Sequence, residues 1–140
     1  MGMEILALDS NTLPTLSNRL NEGKLIALVA DRDLSKNGIP VEFFGKGAQM
    51  PAGPALLAIQ TGADLITAYV KYEAVGIRII FEEAIKVPET GTVPEKAAAM
   101  TQVMADRFAK QLKVHTVDWH MLQRIWLGDE KEAKVSSKNA

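Results

Sequence analysis

The sequence predicts an α/β fold with a largely buried sheet, and two observations support that prediction. Short apolar runs alternate with stretches in which apolar residues recur at helical spacing, a pattern typical of α/β domains. The chain has 140 residues, of which 47% are apolar, which suits one domain with a buried core. We therefore expect one domain over residues 1–128 and a disordered polar tail over residues 129–140.

The N-terminal part of the chain is predicted to contain strands and one helix. Residues 4–8 read as a strand, and leucines at positions 13, 16 and 20 follow at helical spacing up to Gly23, a residue type that often ends helices. The run Lys24–Ala30 is continuously apolar after its lysine, as expected of a strand covered on both faces. We therefore place it at the centre of the sheet. A charged loop and a short strand, Pro40–Phe44, come next.

The middle of the chain is predicted to form a loop, a short helix and a β-hairpin. Glycine and proline interrupt residues 45–53, which favours a loop. The helix spans Pro54–Gln60 and ends at Gly62, because a proline in the first helical turn lacks an amide that would need a partner. Two strand-like runs, Leu65–Tyr72 and Val75–Phe81, are separated by only two residues, which indicates a hairpin.

The C-terminal part is predicted to contain the longest helix and a shorter one. Thr92 and Glu95 have the spacing of a capping box, which marks a helix start. The apolar face expected for this helix comprises Ala97, Met100, Met104, Phe108 and Leu112. A last helix is expected from Asp118 to Leu127, with its tryptophans packing on the sheet or, alternatively, anchoring at a membrane interface.

Composition excludes several classes of function. Sixteen Lys and Arg residues against seventeen Asp and Glu residues argue against a nucleic-acid partner, which needs a basic surface. The absence of cysteine excludes disulfides, thiolate zinc sites and cysteine nucleophiles, and two histidines disfavour a multi-histidine metal site. Apolar runs of six to eight residues are far shorter than the roughly 20 needed to cross a bilayer. With no signal-peptide pattern at the start, the residues alone favour a cytoplasmic protein.

Three short motifs go beyond a generic α/β pattern. They are Asp31-Arg32-Asp33, then Glu42-Phe43-Phe44-Gly45 followed by Gly-Pro-Ala at 53–55, and finally Asp-Trp-His-Met-Leu-Gln at 118–123. In this order and spacing they resemble the bacterial family of lipid A and phosphatidylinositol mannoside acyltransferases, over residues 3–129. The glutamate before Phe-Phe-Gly and the motif at 118–123 look like the actinobacterial phosphatidylinositol mannoside branch.

The resemblance implies a glycerolipid-acyltransferase-like sandwich, with a mixed central sheet and helices on both faces. It also implies transfer of a fatty acyl group from acyl-CoA, as co-substrate and without a cofactor or metal, to a mannose hydroxyl of a phosphatidylinositol mannoside. The glycolipid acceptor would be met at the cytoplasmic face of the plasma membrane, to which the protein would bind peripherally. Two alternatives stay open: acylation of a lipid A precursor, and a non-catalytic module that binds lipid or a catalytic partner.

The chain departs from the family at the catalytic motif. Family members use His-x-x-x-x-Asp, whose histidine acts as the general base that deprotonates the acceptor hydroxyl. Five positions after His115 stands His120, and five after His120 stands Ile125. The resemblance therefore implies a C-terminal half whose histidine belongs to a missing N-terminal half, so we expect the chain alone to be inactive. A gene fragment, a misplaced start codon or a two-chain arrangement would each account for this.

Glu42 is the leading candidate for a catalytic role. The resemblance implies that its carboxylate hydrogen-bonds the catalytic histidine, which fixes the tautomer and stabilises the imidazolium. From the residues alone, the alternative is a surface glutamate that points to water or pairs with Arg32.

Five further residues are candidates for substrate binding. Asp31, Arg32 and Asp33 follow a predicted central strand, where α/β sheets gather ligand groups, and the guanidinium could hold a phosphate. The alternative is a surface loop whose charges pair with one another. Either Phe43 or Phe44 could line an acyl-chain groove, but not both, because neighbouring residues of a strand face opposite sides.

Three candidates remain. Gly45 is explained by backbone conformation, with contact to a phosphate as the alternative. His120 and Arg124 are four residues apart and would share a helical face that could meet the acceptor headgroup, or would serve packing or the surface.

Overall fold

The fold is mixed α/β, which confirms the predicted class. The computed structural model describes residues 2–6, 11–33 and 37–128. The elements within these residues are α1 (Thr12–Asn21), β1 (Ile39–Phe43), β2 (Lys46–Met50), α2 (Gly53–Thr61), β3 (Ala68–Tyr72), β4 (Ile77–Phe81), α3 (Val93–Val114) and a short 3-10 turn (Thr116–Asp118). They form two separate two-stranded antiparallel sheets, so this part of the chain contains no mixed central sheet.

All three predicted helices of the first 114 residues form near their expected bounds, because their end signals are local. Gly23 and Gly62 follow α1 and α2 with φ of 77° and 72°, left-handed values that glycine adopts without strain. At the start of α3, Thr92 and Glu95 form the capping box. Its geometry includes donation from the Thr92 N–H to Glu95 Oε2 at 2.7 Å.

The core lies on two sides of α3. One cluster joins α3 to α2, and its buried members include Ala55, Ala58, Met100 and Met104. The other joins α3 to the β1–β2 hairpin, and its buried members are Val41, Phe43, Ala48, Met50, Ala105 and Leu112. The apolar face predicted for the long helix is confirmed, since four of its five residues are buried and Phe108 is half-buried against both clusters. This helix therefore organises the packed body of the protein.

The β1–β2 hairpin was predicted only in its first strand. Ile39 pairs with Met50 at one end of the ladder, and Phe43 pairs with Lys46 at the other. The prediction of a loop is wrong for residues 46–50, because Ala48 and Met50 alternate inward and are buried against α3. Glycines at 45 and 47 hid this short alternation in the sequence.

The β3–β4 hairpin was predicted in full, and the structure confirms it with shorter strands. Ala68 pairs with Phe81 at one end of the ladder, and Tyr72 pairs with Ile77 beside the turn. Leu65, predicted as part of the first strand, forms an isolated bridge with Ile85 instead.

The predicted central strand Lys24–Ala30 is wrong for the described part of the chain. No described residue pairs with this segment as a strand, and only Ala30 is buried. Leu25 and Val29 are 95% and 79% exposed. A continuous apolar run indicates burial only where neighbouring elements cover it, and here the described residues do not. Residues 4–6 of the other predicted strand have no regular structure, and residues 7 and 8 lie outside the described ranges.

The predicted helix from Asp118 to Leu127 is also wrong. The 3-10 turn ends at Asp118, and Trp126 forms an isolated bridge with Ala48. The physical reason is tertiary: both tryptophans pack on the β1–β2 hairpin, and this overrides a weak helical pattern. The tail at 129–140 lies outside the described residues, so its disorder stays a prediction, as does the division at residue 128. None of the described helices combines the length and apolar content needed to span a membrane.

Candidate functional site

A cavity of about 630 Å³ lies between the β1–β2 turn and the C-terminal half of α3. We call it the Glu42 groove. The hairpin contributes Glu42, Phe44 and Gly45, and the helix contributes Asp106, Ala109, Lys110, Lys113 and Val114. Three of the residues singled out in the sequence thus meet at one place.

Glu42 reaches this groove because of strand alternation. Its neighbours Val41 and Phe43 are buried against α3, so the side chain between them faces outward. The Glu42 N–H donates to Gln102 Oε1 at 2.9 Å, and Gln102 Nε2 donates to the Glu42 carbonyl at 2.9 Å. The main chain at Glu42 is therefore bound to α3 by a reciprocal pair of hydrogen bonds. Within the described ranges the Glu42 carboxylate forms no ion pair, so it is not joined to Arg32.

Phe44 lines the groove from a strained backbone position. Its φ is 54° and that of Gly45 is 76°, as in a two-residue type I′ turn. A bulky side chain seldom adopts this left-handed region, and such strain clusters at functional sites. The Phe44 ring packs 4.7 Å from that of Phe43 and 6.4 Å from that of Trp126, and it is partly exposed. Phe43 is buried core, so only one of the two phenylalanines faces the groove. The two side chains face different sides because Phe44 lies in the turn, after β1 has ended at Phe43, and not because residues alternate along a strand.

The α3 wall of the groove carries charges of both signs, from Asp106, Lys110 and Lys113. Gln102 Nε2 also donates to Asp106 Oδ1 at 2.9 Å, so one glutamine connects this wall to Glu42. Sequence analysis did not single out these four residues. The signal was present: they recur every three or four positions on the longest helix, which is the spacing of one helical face.

Asp31 is linked to the same hairpin by a tryptophan. The Trp119 Nε1–H donates to Asp31 Oδ2 at 2.9 Å. The Trp119 ring also meets the Phe43 ring edge-on, at 6.0 Å and 88°. Asp31 therefore helps to fix the tryptophan behind Phe43, and Arg32 and Asp33 lie half-buried next to it.

His120 and Arg124 do not share a helical face, because the segment that holds them is not helical. Both are exposed, and neither lines the Glu42 groove as described. The other histidine, His115, follows α3 directly as its C-cap and stacks on Tyr69 at 5.9 Å, while the Tyr69 hydroxyl donates to the His115 carbonyl at 2.8 Å. Burial raises the pKa of Tyr69, with a smaller contribution from the negative charge of Asp118. His115 therefore has a structural role here.

No cluster of three or more histidine, aspartate or glutamate side chains that could hold a metal ion occurs within residues 2–6, 11–33 and 37–128. The groove offers two carboxylates, those of Glu42 and Asp106, together with one partly exposed aromatic ring and two ammonium groups. This set can orient a base and bind an apolar, anionic substrate. No histidine belongs to the described lining of the groove.

Comparison with known proteins gives a consistent result. The protein family described as bacterial lipid A biosynthesis acyltransferase matches residues 1–128. The phosphatidylinositol mannoside acyltransferase of Mycobacterium tuberculosis is 40% identical over 137 residues, which are 96% of this chain and 42% of that protein. Its namesake from Mycolicibacterium smegmatis is 39% identical over 145 residues, covering 98% of this chain and 45% of that protein. The chain thus spans less than half the length of these relatives.

Proposed function

The chain belongs to the bacterial lipid A biosynthesis acyltransferase family, and we propose that it takes part in moving a fatty acyl group from acyl-CoA to a mannose hydroxyl of a phosphatidylinositol mannoside. Two relatives at about 40% identity carry the name phosphatidylinositol mannoside acyltransferase, which supports this acceptor. The observation that carries the proposal is the position of Glu42, outward on the groove wall with its main chain bound to α3.

In the proposed reaction a histidine from outside this chain acts as general base. It takes the proton of the mannose hydroxyl while that oxygen attacks the thioester carbonyl. The new C–O bond forms, the C–S bond breaks, and the imidazolium returns the proton to the leaving thiolate as CoA thiol. Glu42 accepts a hydrogen bond from the second imidazole nitrogen, which fixes the tautomer and favours the transient positive charge.

Substrate binding follows from the other groups of the groove. An acyl chain gains roughly 0.8 kcal/mol for each methylene that it buries, and the partly exposed Phe44 ring offers apolar surface for it. Lys110 and Lys113 favour an anionic group of donor or acceptor at the opposite wall. In the Asp31–Asp33 loop the proposed phosphate contact is made by the Arg32 guanidinium, while the neighbouring Asp31 accepts a hydrogen bond from Trp119. We place the reaction at the cytoplasmic face of the plasma membrane, where the acceptor would lie.

The test is a transfer assay with palmitoyl-CoA and either a mannosylated phosphatidylinositol or a lipid A precursor. The chain alone should give no product. Co-expression with the part of the Mycolicibacterium smegmatis relative that the match leaves out should restore transfer, to the mannoside in preference to the lipid A precursor. Turnover by the chain alone would contradict the external base, and preference for the lipid A precursor would reverse the acceptor assignment.

The role of Glu42 is tested in that reconstituted enzyme. Glu42→Gln keeps the shape of the side chain and removes its charge, so kcat should fall at least about 100-fold. Glu83→Gln is the matched control, an exposed glutamate that lies outside the groove. Equal kcat values for the two variants would show that Glu42 is a surface residue without a role in catalysis.

A further inference from the structure

One face of the β3–β4 hairpin is apolar along its whole length and exposed. The cross-strand pairs on this face are Ala68 with Phe81, Val70 with Ile79, and Tyr72 with Ile77. We call these six residues the hairpin face. All six are exposed, and the five larger side chains have exposed fractions between 45% and 70%.

The opposite side of the hairpin is fixed to the protein. Tyr69 packs against the cluster between α3 and the β1–β2 hairpin, and its hydroxyl bonds the end of α3. Lys71 and Arg78 pair across the same side, where both contact Glu73 at 3.3 and 2.7 Å. The hairpin therefore cannot turn its apolar face inward without breaking these contacts.

An exposed surface of this kind is unusual for an isolated domain. Stable monomers seldom leave large contiguous apolar patches in water, and a two-stranded sheet is marginal unless its apolar face is covered. The segment Lys24–Ala30 shows a similar imbalance, since Leu25 and Val29 are almost wholly exposed. The chain thus has more apolar surface than its described residues cover.

We infer that the hairpin face is a docking surface for a polypeptide, namely the part of the family fold that the match leaves out. The mycobacterial relatives carry more than half of their length outside the match, so a covering segment of sufficient size exists in them. The inference rests on family membership and on the proposed supply of the base from outside. The new element is the place on this chain where the portion that supplies the base would bind.

The features of the hairpin favour protein over lipid as the occupant. Within the described residues each of its strands has one neighbour, so each leaves a row of backbone groups that another polypeptide can satisfy and hydrocarbon cannot. A single carboxylate, Glu73, contacts both cations at the turn, and Glu82 and Glu83 follow β4 directly. The basic cluster that draws proteins to anionic lipids is therefore lacking around this hairpin in the described residues.

The experiment co-expresses the tagged full chain with the unmatched portion of the Mycolicibacterium smegmatis relative and measures how much of that portion is recovered per tagged chain. Val70→Lys and Ile79→Lys place a charge in the middle of the hairpin face and should each reduce recovery at least tenfold. Val87→Lys is the matched control, since Val87 is 39% exposed against 45% for Val70 and lies outside the hairpin. Thermal unfolding of the three variants alone should match that of the unsubstituted chain, which separates loss of docking from loss of folding.

Recovery that is equal for Val70→Lys, Ile79→Lys and Val87→Lys would overturn the inference, as would failure of the unsubstituted chain to recover the portion. Two further outcomes would assign the surface to another occupant and so overturn it. One is a concentration-dependent dimer of this chain that Val70→Lys abolishes, and the other is binding to vesicles of phosphatidylcholine and phosphatidylglycerol that Val70→Lys abolishes. Because recovery is measured without turnover, docking with no acyl transfer would fault the proposed function alone.

Discussion

The body packed around α3 and the hairpin face use the same kinds of residue and end in opposite environments. Phe43 is 1% exposed in the first region, whereas Phe81 is 70% exposed in the second. Both lie at the end of a strand in an antiparallel hairpin. The difference is that α3 covers the inner side of β1–β2, while no described element covers the apolar side of β3–β4. Burial thus depends on an available partner as much as on an apolar pattern.

This contrast bears on function because the two regions have different tasks. The packed body holds Glu42 and Phe44 at the groove through buried neighbours and the Gln102 bonds. The hairpin face holds no candidate catalytic residue and presents an apolar surface. In this account the packed body carries the candidate site, and the hairpin face is the proposed docking surface for the portion that supplies the base.

The largest effect that would separate the regions is expected from truncating one phenylalanine in each. Phe43→Ala opens a cavity in the core and should lower the free energy of unfolding by about 3–5 kcal/mol. Phe81→Ala removes the same atoms from an exposed position and should change it by no more than about 0.5 kcal/mol. Urea unfolding followed by circular dichroism measures both. Similar losses in the two variants would mean that the hairpin face is buried in the chain itself.

A smaller effect is expected at the start of α3, on which the packed body depends. Thr92→Ala removes the capping side chain and should lower the free energy of unfolding by about 1 kcal/mol. Thr90→Ala, two residues earlier and outside the helix, is the control and should leave stability unchanged within error. The same urea titration compares them. If both variants were equally stable, the capping box would not contribute to the packed body.

The link between the groove and α3 should give an effect of similar or smaller size. Gln102→Met removes both hydrogen bonds to the Glu42 main chain and should cost about 0.5–1.5 kcal/mol, because such exchanges with water are modest. Gln60→Met, at an exposed position of α2, is the matched control. In the reconstituted enzyme, Gln102→Met should also lower kcat by moving Glu42. An unchanged kcat together with lost stability would make Gln102 a purely structural residue.

The smallest expected effect is a dependence of stability on pH. The pKa of Glu95 is lowered because its carboxylate accepts hydrogen bonds from the backbone N–H and the hydroxyl of Thr92. A folded pKa below the unfolded one gives stabilisation that is fully present above the unfolded pKa, about 4.3, and is lost as the pH falls through the folded pKa. The stability difference between the unsubstituted chain and Glu95→Gln should therefore shrink from pH 7 to pH 3. A constant difference would contradict this linkage.

Sequence reasoning succeeded where the signals are local. Capping and turn residues predicted the three helices, and the two-residue connection predicted the β3–β4 hairpin. The helical spacing of apolar residues predicted the buried face of α3. It failed where the outcome depends on distant partners: Lys24–Ala30 lacks a covering strand in the described chain, and tryptophan packing replaces the helix after Asp118.

The candidate site could be predicted in part for the same reason. Glu42, Phe44 and Gly45 are adjacent in sequence, so a family motif is enough to place them together. Asp106, Lys110 and Lys113 join them only because α3 packs across β1, which is a tertiary fact. The hydrogen bond from Trp119 to Asp31 joins residues 88 positions apart, so neither motif by itself could predict it.

Hydrogen exchange of the backbone amides in the full chain tests the central contrast most directly. Amides in the middle of α3, such as those of Met100 and Met104, should be protected to the full free energy of unfolding, because they open only when the packed body unfolds. Ladder amides of β3 and β4 should exchange at least tenfold faster and should slow when the unmatched portion of the relative is bound. Equal protection of α3 and the β3–β4 hairpin in the chain alone would contradict the account.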